Sequence, residues 1–290
     1  MGDLPQIKET YQQVVQIQVP VHWLDHHFQQ RPVLPAVEAM QLLAHWSARR
    51  CSINRSTVIT QAKFEKFLNL PPDGGLIECL WGLTQLSDGA LRSALMSKIK
   101  AKSATFSRTI THAQVDFTNT ETPLGPLPLP TQFTETLPEP DFTVTPQAIY
   151  DYLVPFGAAY RNIAQPLQLF PQGAIAQIEA PRLSDGQTAE PLGSAFVLDA
   201  AFHAACVWGQ RYTQWVAFPV GFDKRIVQIP TRPGRRYVSW VLPKQMDERQ
   251  LYFDIWILDA DHQVAEAIYG LRMRDVSGGR LTPPPWIRAK

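Results

Sequence analysis

The sequence predicts an α+β fold made of two units, each with one long apolar helix followed by antiparallel strands. Three observations carry that expectation. An apolar run at helical spacing, Ala36 to Arg50, is followed by strand-like runs separated by turn residues. A second apolar run, Ser194 to Trp208, is followed by three more such runs. Between them, residues 119–146 hold Pro123, Pro126, Pro128, Pro130, Pro138, Pro140 and Pro146 and no periodic apolar face, the composition of a stiff, extended boundary. The expected organisation is a first unit at 1–120, a proline-rich connection at 121–146 lying across the outside, and a second unit at 147–290. A long surface loop inside one domain is the rival reading, but structureless loops of that length are uncommon in compact domains. The halves repeat an order of elements, not a sequence.

The elements follow in order. Residues 11–20 alternate partly between polar and apolar and read as an opening strand. Pro35 opens the first helix, where a missing N–H is tolerated. On that helix Val37, Met40, Leu43, Ala44 and Ser47 share one face, Leu42 and Trp46 widen the stripe, and Arg49 and Arg50 sit at the end that favours positive charge. A helix apolar nearly all round calls for something to wrap it. Strand-like runs at 57–70, 76–85, 90–101 and 103–117 supply it, broken by Pro71-Pro72-Asp73-Gly74-Gly75 and Ser87-Asp88-Gly89. In the second half a short helical piece at 147–153 leads into strands at 163–170 and 173–180. The second helix spans about Ser194 to Trp208, stopped by Gly209, and strands follow at 235–242, 250–258 and 263–275.

Composition excludes more than it proposes. The 290 residues carry 45% hydrophobic and 18% charged side chains with a formal net charge of +1, so nothing in bulk argues for nucleic acid or an anionic membrane. Cys51, Cys79 and Cys206 have no C-x-x-C spacing, which argues against a disulfide framework or a zinc site and for a reducing compartment. The N-terminus has neither a basic region nor an apolar run, and no segment reaches the ~20 apolar residues that span a bilayer. A cytoplasmic location is the expectation. Glycine-rich phosphate loops, G-x-S-x-G and H-E-x-x-H are all missing, which leaves nucleotide binding, serine hydrolysis and zinc proteolysis without a motif.

Two constellations remain. Trp23-Leu24-Asp25-His26-His27-Phe28 runs into Gln30, Pro32 and Pro35 just before the first helix. In the second helix, Asp199 lies among Ala195, Phe196 and Phe202 with His203 one turn on. A carboxylate on an apolar stripe is expensive to bury unless paired or protonated, and that expense marks it for function. Capping is the plainer role for an Asp near a helix start, but Ser194 is better placed for it. A basic group, Lys224, Arg225, Arg232, Arg235 and Arg236, reads either as a solvated strand edge or as a surface for an acidic carrier protein.

His27-Phe28-x-x-x-Pro32-x-x-Pro35 resembles the His-Phe-x-x-x-Pro-x-x-Pro-Gly segment of hot-dog-fold hydroxyacyl-carrier-protein dehydratases. The opening at Trp23 also resembles the dehydratase domains of modular polyketide synthases, with His-x-x-x-Gly-x-x-x-x-Pro. Measured to Pro35, the first spacing selects His27 and the second His26; Phe28 and the distance from Trp23 favour His27. Asp199-x-x-x-His203 resembles the Asp-x-x-x-Gln/His motif of the polyketide domains. Phe156-Gly157-Ala158-Ala159-Tyr160 resembles, more weakly, their Tyr-Gly-Pro-x-Phe segment, with the tyrosine hydroxyl lost at Phe156. Gln41 stands where single hot-dog relatives carry the acid. Gln30 and Ala36 replace family glycines, which bears on whether the loop keeps its shape.

The resemblance implies a double hot-dog and dehydration of a β-hydroxyacyl thioester on an acyl carrier protein. His27 would be the base, Asp199 the acid kept protonated by its surroundings, and His203 a support. Pro35, Ala36, Val37, Gly157 and Tyr160 would line the substrate, with the Ala36 and Val37 N–H groups facing the enolate-like oxygen, and the base and acid would share one cavity. No cofactor or metal is implied beyond the carrier's phosphopantetheine. Other synthase domains and a homodimer are further implied partners. Isomerisation or cyclisation on the same scaffold, a non-catalytic carrier-binding module, and a hot-dog thioesterase stay open as alternatives.

Overall fold

The structure, a computed structural model, describes residues 7–51, 58–100, 107–118, 125–130, 139–182, 190–248 and 250–289. The chain divides into two compact units, Met1–Thr122 and Pro123–Lys290.

In the first unit β1 (Ile7–Val19) is followed by a 3-10 turn at Val21–Asp25 and a small hairpin of β2 (His27–Phe28) and β3 (Arg31–Pro32). Helix α1 (Ala36–Arg50) comes next, then β4 (Val58–Lys63), β5 (Gly75–Leu86), β6 (Leu91–Lys100) and β7 (Ser107–Thr118). These strands pair antiparallel in the order β1-β5-β6-β7-β4. The anticipated stripe of α1, from Val37 to Ser47, is the buried one, facing β6 and β7. Leu42 and Trp46 are only half-buried, and Trp46 leans on Trp81 with ring centroids 6.0 Å apart. Inside that packing Ser47 donates to Ser93 Oγ at 3.1 Å and the Trp81 indole donates to the same oxygen at 2.9 Å, so the buried polar atoms satisfy one another. The strand expected over 57–70 stops at Lys63. Beyond it, only Asn69 makes a bridge, to Val33.

The second unit contains β8 (Phe142–Val144), α2 (Pro146–Ala148) running into one π turn at Ile149–Leu153, a 3-10 turn at Ala158–Tyr160, β9 (Leu167–Phe170) and β10 (Gly173–Glu179). Then come α3 (Ala195–Tyr212), β11 (Phe218–Val227), β12 (Arg236–Met246), β13 (Leu251–Leu258) and β14 (Val264–Arg274). The strand order is β11-β14-β13-β12-β10-β9-β8, antiparallel at every described pair. Every residue of α3 from Ala195 to Gln210 is buried, and its alanines let it lie close on β10, β12 and β13.

Three expectations need correcting here. Gly209 does not stop α3, which runs on to Tyr212 and ends at Thr213, whose hydroxyl donates to the Gly209 carbonyl at 2.7 Å. The glycine serves packing instead: a Cβ there would sit 2.9 Å from Leu251 Cδ1. Strand β11 was not anticipated, because Pro219, Gly221 and the Asp223-Lys224-Arg225 run interrupt its apolar pattern, and a register shift falls between Pro219 and Gly221. Arg225 is not a solvated edge residue. It is 1% exposed and makes a two-pronged pair with Glu266 at 3.0 and 2.8 Å.

Part of the proline-rich stretch belongs to the second unit's packing. Leu127 and Leu129 rest on a cluster of Leu242, Trp256, Leu258, Val264 and Ala267, covering that part of β12, β13 and β14. No helix among the described residues is long and apolar enough to cross a membrane.

Candidate active site

The histidine constellation is built by the small hairpin. With His27 opposite Pro32 and Phe28 opposite Arg31, the loop has two residues, Gln29 and Gln30, both with positive φ of 49° and 61°. Two left-handed residues between paired strands are the geometry of a type I′ turn, which favours Asn-Gly. Gln30 therefore adopts the backbone that a glycine would take more easily. Ala36 raises no such question, since it is the first residue of α1, with Pro35 as N-cap at φ −60°. Pro35 thus precedes the helix by one residue rather than opening it.

The hairpin is tied down on both sides. Val33 N–H donates to the His26 carbonyl, Leu34 N–H to Leu68 and Leu70 N–H to Pro32, each at 2.9 Å. Phe28 stacks on Phe67 with centroids 4.5 Å apart. His27 is partly buried, and its Nδ1 lies 3.1 Å from the Asp25 carbonyl oxygen. A carbonyl only accepts, so Nδ1 carries a proton, and in the neutral ring the lone pair is then on Nε2, the arrangement a base needs. His26 is likewise partly buried, at the end of the 3-10 turn, its own N–H donating to the Trp23 carbonyl at 3.1 Å. The first turn of α1 has no side-chain cap, so the Ala36 and Val37 N–H groups are the leading donors at its positive end.

The acidic constellation is built by α3. Gly193, at φ 79°, lets the chain turn in against Thr231, where a Cβ would sit 2.7 Å from the Thr231 nitrogen. Ser194 N–H then donates to Thr231 at both the carbonyl, 3.1 Å, and the hydroxyl, 2.8 Å. The Arg225 guanidinium, fixed by Glu266, donates to the Leu192 carbonyl at 2.9 Å. Ser194 occupies the cap position, but its side chain makes no capping bond. The Glu190 carboxylate reaches the Ala195 N–H at 3.4 Å instead.

Asp199 and His203 are 5% and 4% exposed, and His203 Nε2 lies 2.9 Å from Asp199 Oδ2, a close polar contact rather than an aligned hydrogen bond. The acid is thus half of a pair, not alone. Around the pair stand Phe156, 5.1 Å from the His203 ring centre, and Tyr150, edge-on at 5.8 Å, while Tyr160 packs on both Phe156 and Phe196. The 156–160 fragment therefore forms part of this wall. Gly157 has an ordinary negative φ and caps the 3-10 turn. Tyr150 carried no signal in the sequence. Its hydroxyl accepts the Ile163 N–H at 2.9 Å, and burial above all, with the Asp199 charge adding, pushes its phenol well above the usual range.

Of the basic group, Lys224, Arg232, Arg235 and Arg236 are exposed, and Arg236 pairs with Glu179 at 3.2 Å. The cysteines form no disulfide, and burial pushes both the Cys79 and the Cys206 thiol up to about 11, which keeps them protonated and poor nucleophiles.

Comparisons with known proteins bear on the family and the fold. The family model described as polyketide synthase dehydratase N-terminal domain matches residues 128–283, more than half of the chain, including Asp199 and His203. A dehydratase domain of a trans-AT polyketide synthase from Brevibacillus brevis is similar in structure at a TM-score of 0.73, with 14% identity, covering 92% of this chain and 94% of that one. The CurJ dehydratase in an inactive mutant form, histidine replaced by phenylalanine, is similar at 0.68, with 15% identity and 93% and 96% coverage. An inactive CurK dehydratase mutant, aspartate replaced by asparagine, is similar at 0.72, with 17% identity and 93% and 95% coverage. No curated protein matches the sequence. The fold is the double hot-dog of these domains.

Proposed function

The chain belongs to the polyketide synthase dehydratase family, and from that premise we propose that it removes water from a β-hydroxyacyl thioester on an acyl carrier protein, giving the α,β-unsaturated thioester. The observation that carries the assignment of roles is the buried Asp199–His203 pair on α3. His27 Nε2 takes the α-proton. The electrons of that C–H bond form the new double bond, the C–O bond at the β-carbon breaks, and the proton held by the pair goes from Asp199 to the departing oxygen, which leaves as water. Hydroxide is a poor leaving group without that proton. During the step charge builds on the thioester oxygen, and the Ala36 and Val37 N–H groups at the start of α1 are suited to stabilise it.

The inactive mutants support this division of labour. In CurJ the exchanged residue is a histidine and in CurK an aspartate, the types assigned here to His27 and Asp199. Pro35, Gly157 and Tyr160 are assigned to the substrate walls. Elimination needs proton transfers alone, so no metal or redox group is assigned. The carrier protein is the assigned partner, with Arg232 and Arg235 as its basic contacts, beside the loop that holds the start of α3. Three free cysteines suit a reducing, cytoplasmic setting.

The test is incubation of the chain with a β-hydroxyacyl thioester, read by mass for loss of one water. Wild-type protein forms the dehydrated product and His27→Ala forms none. A wild-type chain that leaves the thioester intact, or hydrolyses it, overturns the reading.

A further inference from the structure

A histidine that moves or holds a proton has its ring oriented, as a rule, by a hydrogen bond to its other nitrogen. His27 has such a bond, to the Asp25 carbonyl. His203 does not: among the described residues its Nδ1 meets no hydrogen-bond partner, although the side chain is almost fully buried. Something else must keep Nε2 turned toward Asp199. The only groups described in ring contact with His203 are Tyr150, whose plane stands 79° to the imidazole, and Phe156 at 57°.

We propose that Tyr150 is a positioning residue, whose ring, set nearly perpendicular to the imidazole, clamps His203 together with Phe156 so that Nε2 stays against the Asp199 carboxyl. Tyr150 is itself held where a clamp has to be rigid. It sits in the π turn Ile149–Leu153, a rare backbone form found often at functional sites, with Val154 N–H donating to the Ile149 carbonyl at 2.8 Å. Gln210 of α3 donates to the Leu153 carbonyl at 2.9 Å and so ties that turn to the helix carrying the pair. The phenol oxygen accepts from Ile163, which pins the far end of the ring. Ring and hydroxyl therefore have separable tasks: the ring orients His203, and the hydroxyl anchors the ring.

The catalytic consequence rests on the dehydratase reading, so the experiment has two arms. In the kinetic arm, Tyr150→Leu in the full chain lowers kcat for dehydration about tenfold or more with little change in KM, because substrate contacts survive and the proton donor is misaimed. Tyr150→Phe restores kcat to within about twofold while melting at a lower temperature than wild type, since the ring remains and the Ile163 N–H loses its acceptor. In the structural arm, the ring-nitrogen NMR shifts of His203 report one tautomer in wild type and in Tyr150→Phe, and a mixture in Tyr150→Leu. If folded Tyr150→Leu keeps wild-type kcat and a single His203 tautomer, or if Tyr150→Phe loses as much kcat as Tyr150→Leu, the clamp is overturned. A wild-type chain without dehydratase activity defeats the functional reading alone, and the NMR arm then decides the clamp by itself.

Discussion

Asp199 and His203 are one helical turn apart, and that spacing alone puts an acid and an imidazole on one face. In the proposed reaction this pair supplies the proton that the departing oxygen takes up. Asp199→Asn keeps the shape and cannot pass that proton on. It is expected to lower kcat by about 10²–10⁴-fold with KM nearly unchanged, measured by mass-resolved dehydration. Near-full rate in that variant would move the acid role to another group, with His203 the first to be tested. Gln30 offers a prediction of the opposite kind. A non-glycine residue in the left-handed region is disfavoured by roughly 1–2 kcal/mol, of which glycine returns part through its greater unfolded freedom. Gln30→Gly should then stabilise the chain by about 0.5–1 kcal/mol in urea titration, and a loss of stability would show that the glutamine side chain matters more than its backbone.

At the level of elements, the site depends on how the start of α3 is anchored. Arg225 on β11 and Glu266 on β14 face each other, each 1% exposed, and the same guanidinium bonds the Leu192 carbonyl just ahead of the helix. Removing one partner strands the other charge in a dry interior. Arg225→Met is expected to destabilise the protein by about 3–5 kcal/mol, and Arg225→Met with Glu266→Leu should recover much of that, because no buried charge then remains. Equal losses in the single and double variants, read by denaturant melts, would deny that the stranded charge is the cause. These elements also mark the limit of sequence patterns. The α1 stripe was legible because its periodicity is local. Strand β11 was not, because its buried arginine and its irregular register with β14 both break the alternation that identifies a strand.

For the molecule as a whole, stability should depend on pH through a histidine outside the proposed chemistry. His112 on β7 is buried, with Nε2 2.8 Å from Ser97 Oγ and Nδ1 3.1 Å from the Lys66 carbonyl. Burial lowers its pKa below the ordinary 6.5, against a smaller opposing effect of the Lys66 and Phe67 carbonyls. Below 6.5 the unfolded chain binds a proton that the folded chain refuses, so stability falls with pH until the lowered folded value is passed. Urea midpoints measured downward from neutral pH should decline in wild type and decline less in His112→Gln. An equal decline in both would assign the acid sensitivity elsewhere.

What the sequence by itself determined is whatever depends on near neighbours along the chain: both long helices, most of the strand runs of the first unit, the histidines just ahead of α1, and the placing of Asp199 and His203 one turn apart. What only the tertiary structure decided depends on residues far apart in sequence. Arg225 finds Glu266 across 41 positions, and the ring of Tyr150 meets that of His203 only once the π turn is packed on α3. The physical reason is that helical and strand periodicity follow from local backbone geometry, whereas a buried charge or an aromatic edge takes its meaning from the atom it faces, and folding chooses that atom.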